Sequence, residues 1–250
     1  MKHNIDELIK STLSGVESSL SRLLTLAEND TSNNAQIMEA ISPHLGKAYR
    51  IGITGSPGSG KSTLIDKLTA TMRSKGLTVG IICIDPTSPV TGGAVLGDRI
   101  RMEQHYSDDG VFLRSMATRG NYGGVSKAVG ASVALLDAFG KDVILVETVG
   151  IGQEETGVEE IVDTIVLVLA PGWGDSMQFM KAGILEVADI IVVNKADYDG
   201  AERLATELKD ILAFSSRESK QPIMLAQAQN GIGIKELYDE LEKYWKEQNP

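Results

Sequence analysis

The chain has 250 residues, 42% of them hydrophobic, with 24 Lys+Arg against 34 Asp+Glu and a formal charge of −10. That is enough chain to bury a real core, and its negative surface, which carries no Lys/Arg run, disfavours nucleic acid and anionic membrane as partners. The single cysteine, Cys83, excludes an internal disulfide or a CxxC motif, and no stretch nears the roughly 18 apolar residues that a bilayer span needs.

The first ten residues are polar and lack the apolar core of a signal peptide, so a cytoplasmic or organelle-matrix protein is expected. Residues 4–28 carry apolar side chains mostly three and four apart, which predicts one amphipathic helix. A polar break follows at 29–34, and a second helix is predicted over 35–41, ahead of Pro43. These helices define an expected N-terminal extension, residues 1–46, before a larger domain over 47–250.

From residue 50 the pattern changes. Apolar, β-branched runs at 50–54, 79–84, 111–115, 142–147, 164–170, 190–194 and 222–226 read as strands. Helical stretches lie between and after them, at 61–75, 98–106, 125–139, 176–187, 199–213 and 233–247. Strands that are apolar almost throughout and alternate with helices imply an α/β fold, a mostly parallel sheet flanked by helices on both faces. Cys83 falls inside the second strand, where a buried, inert thiol is expected.

Gly55, Ser56, Pro57, Gly58, Ser59, Gly60, Lys61 and Ser62 spell G-x-x-x-x-G-K-S between a predicted strand and a predicted helix. Glycines let the backbone wrap a polyphosphate with its N–H groups turned inward, and the helix N-terminus adds partial positive charge. Lys61 can reach the β- and γ-phosphates, and the Ser62 hydroxyl can ligate Mg²⁺; Thr63 is counted with the cradle. The strand at 142–147 ends in Glu147, an acid where a Mg²⁺ shell is completed, although aspartate is the usual residue. Gly150, in the E-x-x-G that follows, could offer the γ-phosphate a backbone N–H.

The strand at 190–194 runs into Asn194, Lys195, Ala196 and Asp197, an N-K-x-D sequence. A carboxylate accepts from both N1–H and the exocyclic amine of guanine; adenine offers no such pair, so GTP is expected over ATP. Lys195 can lay its stem along the base, and Asn194 can tie the loop. Gln227 and Ala228 follow the last strand, where a backbone N–H is expected to meet the guanine oxygen.

With these motifs in place, the sequence resembles the methylmalonyl-CoA mutase-associated GTPases of the MeaB/MMAA/ArgK type. The resemblance is carried by residues 55–63 (GSPGSGKST), 85–89 (DPTSP), 97–102 (GDRIRM), 116–126 (MATRGNYGGVS), 147–154 (ETVGIGQE) and 171–183 (PGWGDSMQFMKAG), then NKAD. It implies a P-loop GTPase that chaperones an adenosylcobalamin-dependent acyl-CoA mutase and works as a homodimer. It places Asp85 and Asp98 with Ser62 and Glu147 around Mg²⁺, where the plain alternatives are a turn residue and a helix N-cap. It adds Asp98 and Gln153 to Lys61 in the catalytic set, Gln153 being either a water-orienting group or a solvated switch residue. Residues 171–183 would sense the mutase.

Two departures accompany the resemblance. Family members often continue into a C-terminal helical arm that builds their dimer, whereas here few residues follow the last predicted helix. Gln227-Ala228 stands where Ser-Ala is commoner. Both imply a shorter subtype that serves another mutase. No D-x-H-x-x-G is present to hold cobalamin, so no cobalamin site of its own is expected. The competing readings are a GTP-dependent metallochaperone, which would need clustered soft ligands, and a kinase or transport ATPase, against which the N-K-x-D sequence argues.

Overall fold

The computed structural model describes residues 5–29, 33–85, 99–117, 122–148, 159–172, 184–214 and 221–248. At the N-terminus the single helix expected over 4–28 is two, α1 (Ile5–Leu13) and α2 (Glu17–Asn29), followed by α3 (Asn34–Ile41). The break falls at Gly15, whose φ of 86° lies in the left-handed region that glycine adopts without steric cost. Leu8 and Ile9 of α1 and Leu20, Leu23 and Leu24 of α2 are buried in one cluster. One apolar stripe therefore spans two helices, and periodicity alone cannot show the turn between them.

The seven expected strands are present as β1 (Tyr49–Gly55), β2 (Val79–Asp85), β3 (Val111–Ala117), β4 (Val143–Glu147), β5 (Thr164–Leu169), β6 (Ile190–Val193) and β7 (Ile223–Leu225). They form one sheet in the order β3-β2-β4-β1-β5-β6-β7, and every pairing is parallel. The helices are α4 (Lys61–Ser74), α5 (Tyr122–Phe139), α6 (Ile184–Val187), α7 (Ala201–Phe214) and α8 (Ile234–Gln248). The helix expected at 98–106 is a 3₁₀ segment, Arg99–His105, kinked at Met102. Of the helix expected at 176–187, only the last turn lies within the described residues. No described helix is long and apolar enough to cross a membrane.

Side chains alternate across the strands, and each set finds its own cover. Ile51, Ile53, Ile81, Cys83, Leu145, Val166 and Val192 pack with Leu64, Ile65 and Leu68 of α4 and with Leu237 and Leu241 of α8. On the opposite set, Ile82, Ile84, Ile144 and Val146 pack with α5 and the N-terminal helices. Leu167, Leu169, Ile191 and Val193 pack with α7. The N-terminal helices thus share a core with the sheet.

A buried carboxylate sets the entry into β1. Asp137, near the end of α5 and only 4% exposed, accepts from the backbone N–H groups of Gly46, Lys47 and Ala48 at 2.6, 3.1 and 3.0 Å. Asp137→Ala leaves those donors without a partner and is expected to cost about 3 kcal/mol, lowering Tm by roughly 5–12 °C. Chemical denaturation measures it, and a loss below about 1 kcal/mol would show that water replaces the carboxylate.

Strand order also creates the site. β1 leads to β2 on one side, and its neighbour β5 leads to β6 on the other. Between adjacent strands whose exits diverge, a crevice opens at their C-terminal ends.

Candidate nucleotide site

The residues at that crevice are those of the G-x-x-x-x-G-K-S segment. A Cβ on Gly55 would lie 2.0 Å from the Val168 carbonyl oxygen, so only glycine lets β1 finish this close to β5 before the loop turns. Ser59 N–H bonds to Ser56 O at 3.1 Å, which curls the loop, and Gly60 opens α4 at a φ of 93°. The α4 N-terminus therefore faces the loop. The Lys61 ammonium folds back and donates to Gly55 O at 2.9 Å and Ser56 O at 3.3 Å. Pro57 and Gly58 form the exposed lip, Thr63 is half-buried, and Ser59, Lys61 and Ser62 are buried. Among the described residues, the buried Oγ atoms of Ser56 and Ser59 have no hydrogen-bond partner. Donors lining a concave loop suit a polyanion.

Glu147, 5% exposed, lies beside the loop. Its register partners are Ile53 on β1 and Cys83 on β2. Ser62 donates its hydroxyl to Glu147 Oε1 at 2.9 Å, and Cys83 Sγ lies 3.8 Å from Oε2. Asp85, 3% exposed, ends β2. Among the described residues, no group of three or more His, Cys, Asp or Glu side chains could hold a metal ion. An all-oxygen set of a hydroxyl and one or two carboxylates fits Mg²⁺, which keeps waters and takes its remaining ligands from phosphate oxygens. Asp98, Gly150, Gln153 and residues 173–183 lie outside the described residues.

Asn194 joins the loop to the N-K-x-D segment. Its Nδ2 donates to Ser59 O at 2.8 Å, and its Oδ1 accepts from Ala228 N–H at 3.0 Å. Its own N–H reaches Leu169 O at 2.7 Å. A Cβ on Gly60 would meet Asn194 Nδ2 at 2.3 Å, so glycine there is what permits the bridge. Lys195 is the one described non-glycine residue with positive φ, at 56°. That strain is held by Tyr198 N–H on Lys195 O and Ala196 N–H on Ala226 O, both at 2.9 Å, and it puts the Lys195 ammonium 5.7 Å from the Tyr198 ring centroid. Asp197 is exposed at the rim.

The Gln227–Ala228 pair follows β7. Gln227 N–H is spent on Ile232 O at 3.0 Å, and Ala228 N–H is spent on Asn194. Both bonds help to fix the loop. Sequence reasoning also missed Asp66, one turn along α4 from Ser62. It accepts from Gln104 Nε2 at 2.5 Å, and its Oδ1 lies 3.3 Å from His105 Nε2. It thus latches the 3₁₀ segment after residue 98 to α4. The signal available was an acid on the otherwise apolar face of a helix.

A glycine cradle capped by a helix N-terminus, a serine–glutamate pair beside it and an N-K-x-D loop tied to it define a P-loop GTPase. The family described as "Methylmalonyl Co-A mutase-associated GTPase MeaB" matches residues 20–249, and the chain belongs to that family. A Pyrococcus abyssi relative that carries a GTPase assignment is 50% identical over 245 residues, covering 96% of this chain and 76% of its own length. The mouse protein named methylmalonic aciduria type A homolog, mitochondrial, is 31% identical over 260 residues, covering 96% of this chain and 63% of its own length. The crystal structure of a "LAO/AO transport system kinase" matches with a TM-score of 0.78 at 26% identity, over 98% of this chain and 76% of that chain.

Proposed function

We propose that this chain hydrolyses Mg-GTP in the crevice at the C-terminal end of β1, and that the cycle gates adenosylcobalamin loading and protection of a B12-dependent acyl-CoA mutase. The observation that carries the nucleotide reading is the Asn194 bridge from Ser59 to Ala228. It holds a phosphate cradle and a base loop in one frame, as a single nucleotide requires. The mutase rests on membership of a mutase-associated family, and a homodimer is proposed on the same resemblance.

In this reading Gly55, Pro57, Gly58, Ser59, Gly60 and Thr63 wrap the phosphates. Lys61 leaves its two carbonyl partners to meet the β- and γ-oxygens. Ser62, Glu147 and Asp85, with Asp98, would hold Mg²⁺, which when bound neutralises charge on the phosphate oxygens. Glu147 accepts the Ser62 hydroxyl proton, which leaves the oxygen lone pairs of Ser62 directed outward. Gly150 offers an N–H to the γ-phosphate, and Gln153 orients water. Asp197 accepts from the guanine edge, and Lys195 lies along the ring. Catalysis of this kind is positioning and charge neutralisation.

Phosphate release from GTP and ATP, with and without an adenosylcobalamin-dependent acyl-CoA mutase of the same genome, tests the proposal. The expected result is a GTP preference with stimulation of about tenfold or more by the mutase, a fraction of what a partner can supply to a GTPase. Stimulation below about twofold by every cognate mutase would remove the chaperone reading and keep the chemistry. A preference for ATP would remove both.

A further inference from the structure

We propose that Cys83 is a positioning residue for Glu147: its thiol steadies Oε2 so that Oε1 stays on the Ser62 hydroxyl. The inference rests on the proposed role of Ser62 and Glu147 in holding Mg²⁺.

The sheet register makes the contact. Cys83 and Glu147 are direct partners on neighbouring parallel strands, so their side chains leave the same face of the sheet. That face is the one α4 covers, because Cys83 packs in the cluster that contains Leu64, Ile65 and Leu68. Ser62 comes down from α4 onto one carboxylate oxygen at 2.9 Å. Cys83 comes up from β2 toward the other at 3.8 Å. Ile53 is the register partner of Glu147 on β1. Glu147 is 5% exposed and Cys83 1%.

The chemistry explains why a thiol belongs there. An ionised carboxylate only accepts, and a thiol can donate weakly. In a low-dielectric setting even a weak donor to a charged acceptor gains strength. Glutamate also carries one more rotor than the aspartate that usually ends such a strand, and its terminal torsion is broad and nearly two-fold. Two donors on opposite oxygens hold that torsion at one setting. The extra methylene lets the carboxylate reach Ser62, and the thiol offsets the freedom that comes with it. Valine at 83 would fill similar space without a donor, and serine would keep a donor on a shorter arm.

The test uses the full chain and a fluorescent GDP analogue whose release slows when Mg²⁺ binds. Mg²⁺ is titrated for wild type, Cys83→Ala, Cys83→Val, Cys83→Ser and Glu147→Gln, with thermal unfolding and Mg²⁺-free analogue affinity as checks on the fold. Cys83→Ala and Cys83→Val are expected to raise the half-saturating Mg²⁺ concentration about three- to tenfold, the effect of one weak donor to a charge. Cys83→Ser should stay within about twofold of wild type, because it keeps a donor. Alanine and valine differ in volume, so a packing defect does not give them the same shift. Unchanged Mg²⁺ dependence in both, while Glu147→Gln shifts it, would overturn the role of Cys83 and leave Glu147 in place. A serine variant no better than alanine would reduce Cys83 to packing. Unchanged Mg²⁺ dependence in Glu147→Gln would remove the underlying reading as well.

Discussion

Asp197→Asn is expected to move this GTPase from guanine to xanthine nucleotides. Guanine presents N1–H and an exocyclic amine side by side, and a carboxylate accepts from both. An asparagine amide keeps one acceptor and turns the other position into a donor, which then faces the guanine amine donor to donor. Xanthine carries a carbonyl at that position, and the new amide donates to it. A site built to bond one edge rejects the wrong edge by several orders of magnitude. GTP affinity should therefore fall about 10²–10⁴-fold while XTP binding rises to replace it. Asp197 is exposed at the rim of the site, so thermal stability should not move. Competition of GTP, XTP and ATP against a fluorescent GDP analogue reads the outcome. GTP affinity retained within about threefold would mean that Asp197 does not face the base.

Lys61→Ala should nearly abolish hydrolysis and leave the fold intact. The ammonium donates to the carbonyls of Gly55 and Ser56, so it is held at the mouth of the loop. Its transfer from two neutral carbonyls to phosphate oxygens is favourable because charge meets charge. The charge that develops in the transition state then meets a donor already in place. Removing one such donor costs about 10²–10³-fold in turnover. GDP, which lacks the γ-phosphate, should lose less affinity than GTP. Single-turnover phosphate release at saturating Mg²⁺ measures this. A rate within about tenfold of wild type would assign the phosphate charge to other groups.

The parts of this molecule that could be read from its residues are those that local chemistry specifies. The strands are short and largely apolar, several of them rich in β-branched residues, and the phosphate and base loops directly follow two of them. The turn at Gly15 escaped because α1 and α2 bury one continuous stripe against the same core. The 3₁₀ segment at Arg99–His105, kinked at Met102, escaped because Ile100 and Met102 alone are too few for periodicity to tell a 3₁₀ turn from an α-helix. Juxtapositions across the sheet were beyond reach. Cys83 and Glu147 are distant in sequence and become neighbours only once β4 is known to lie between β2 and β1. The Asn194 bridge is of the same kind, since it joins Ser59 and Ala228, which are distant in sequence.

The strand order has a consequence for the birth of the protein. β1 is the first strand made, yet both its neighbours, β4 and β5, come late in the chain. While residues 56–142 are still being translated, on the order of ten seconds at typical ribosome speeds, the future centre of the sheet has neither edge covered. Its sequence, Tyr-Arg-Ile-Gly-Ile-Thr-Gly, includes the β-prone residues Tyr49, Ile51, Ile53 and Thr54. Neither hydrogen-bonding edge of β1 is covered until β4 emerges, so the nucleotide site at the C-terminal end of β1 is among the last features to take shape.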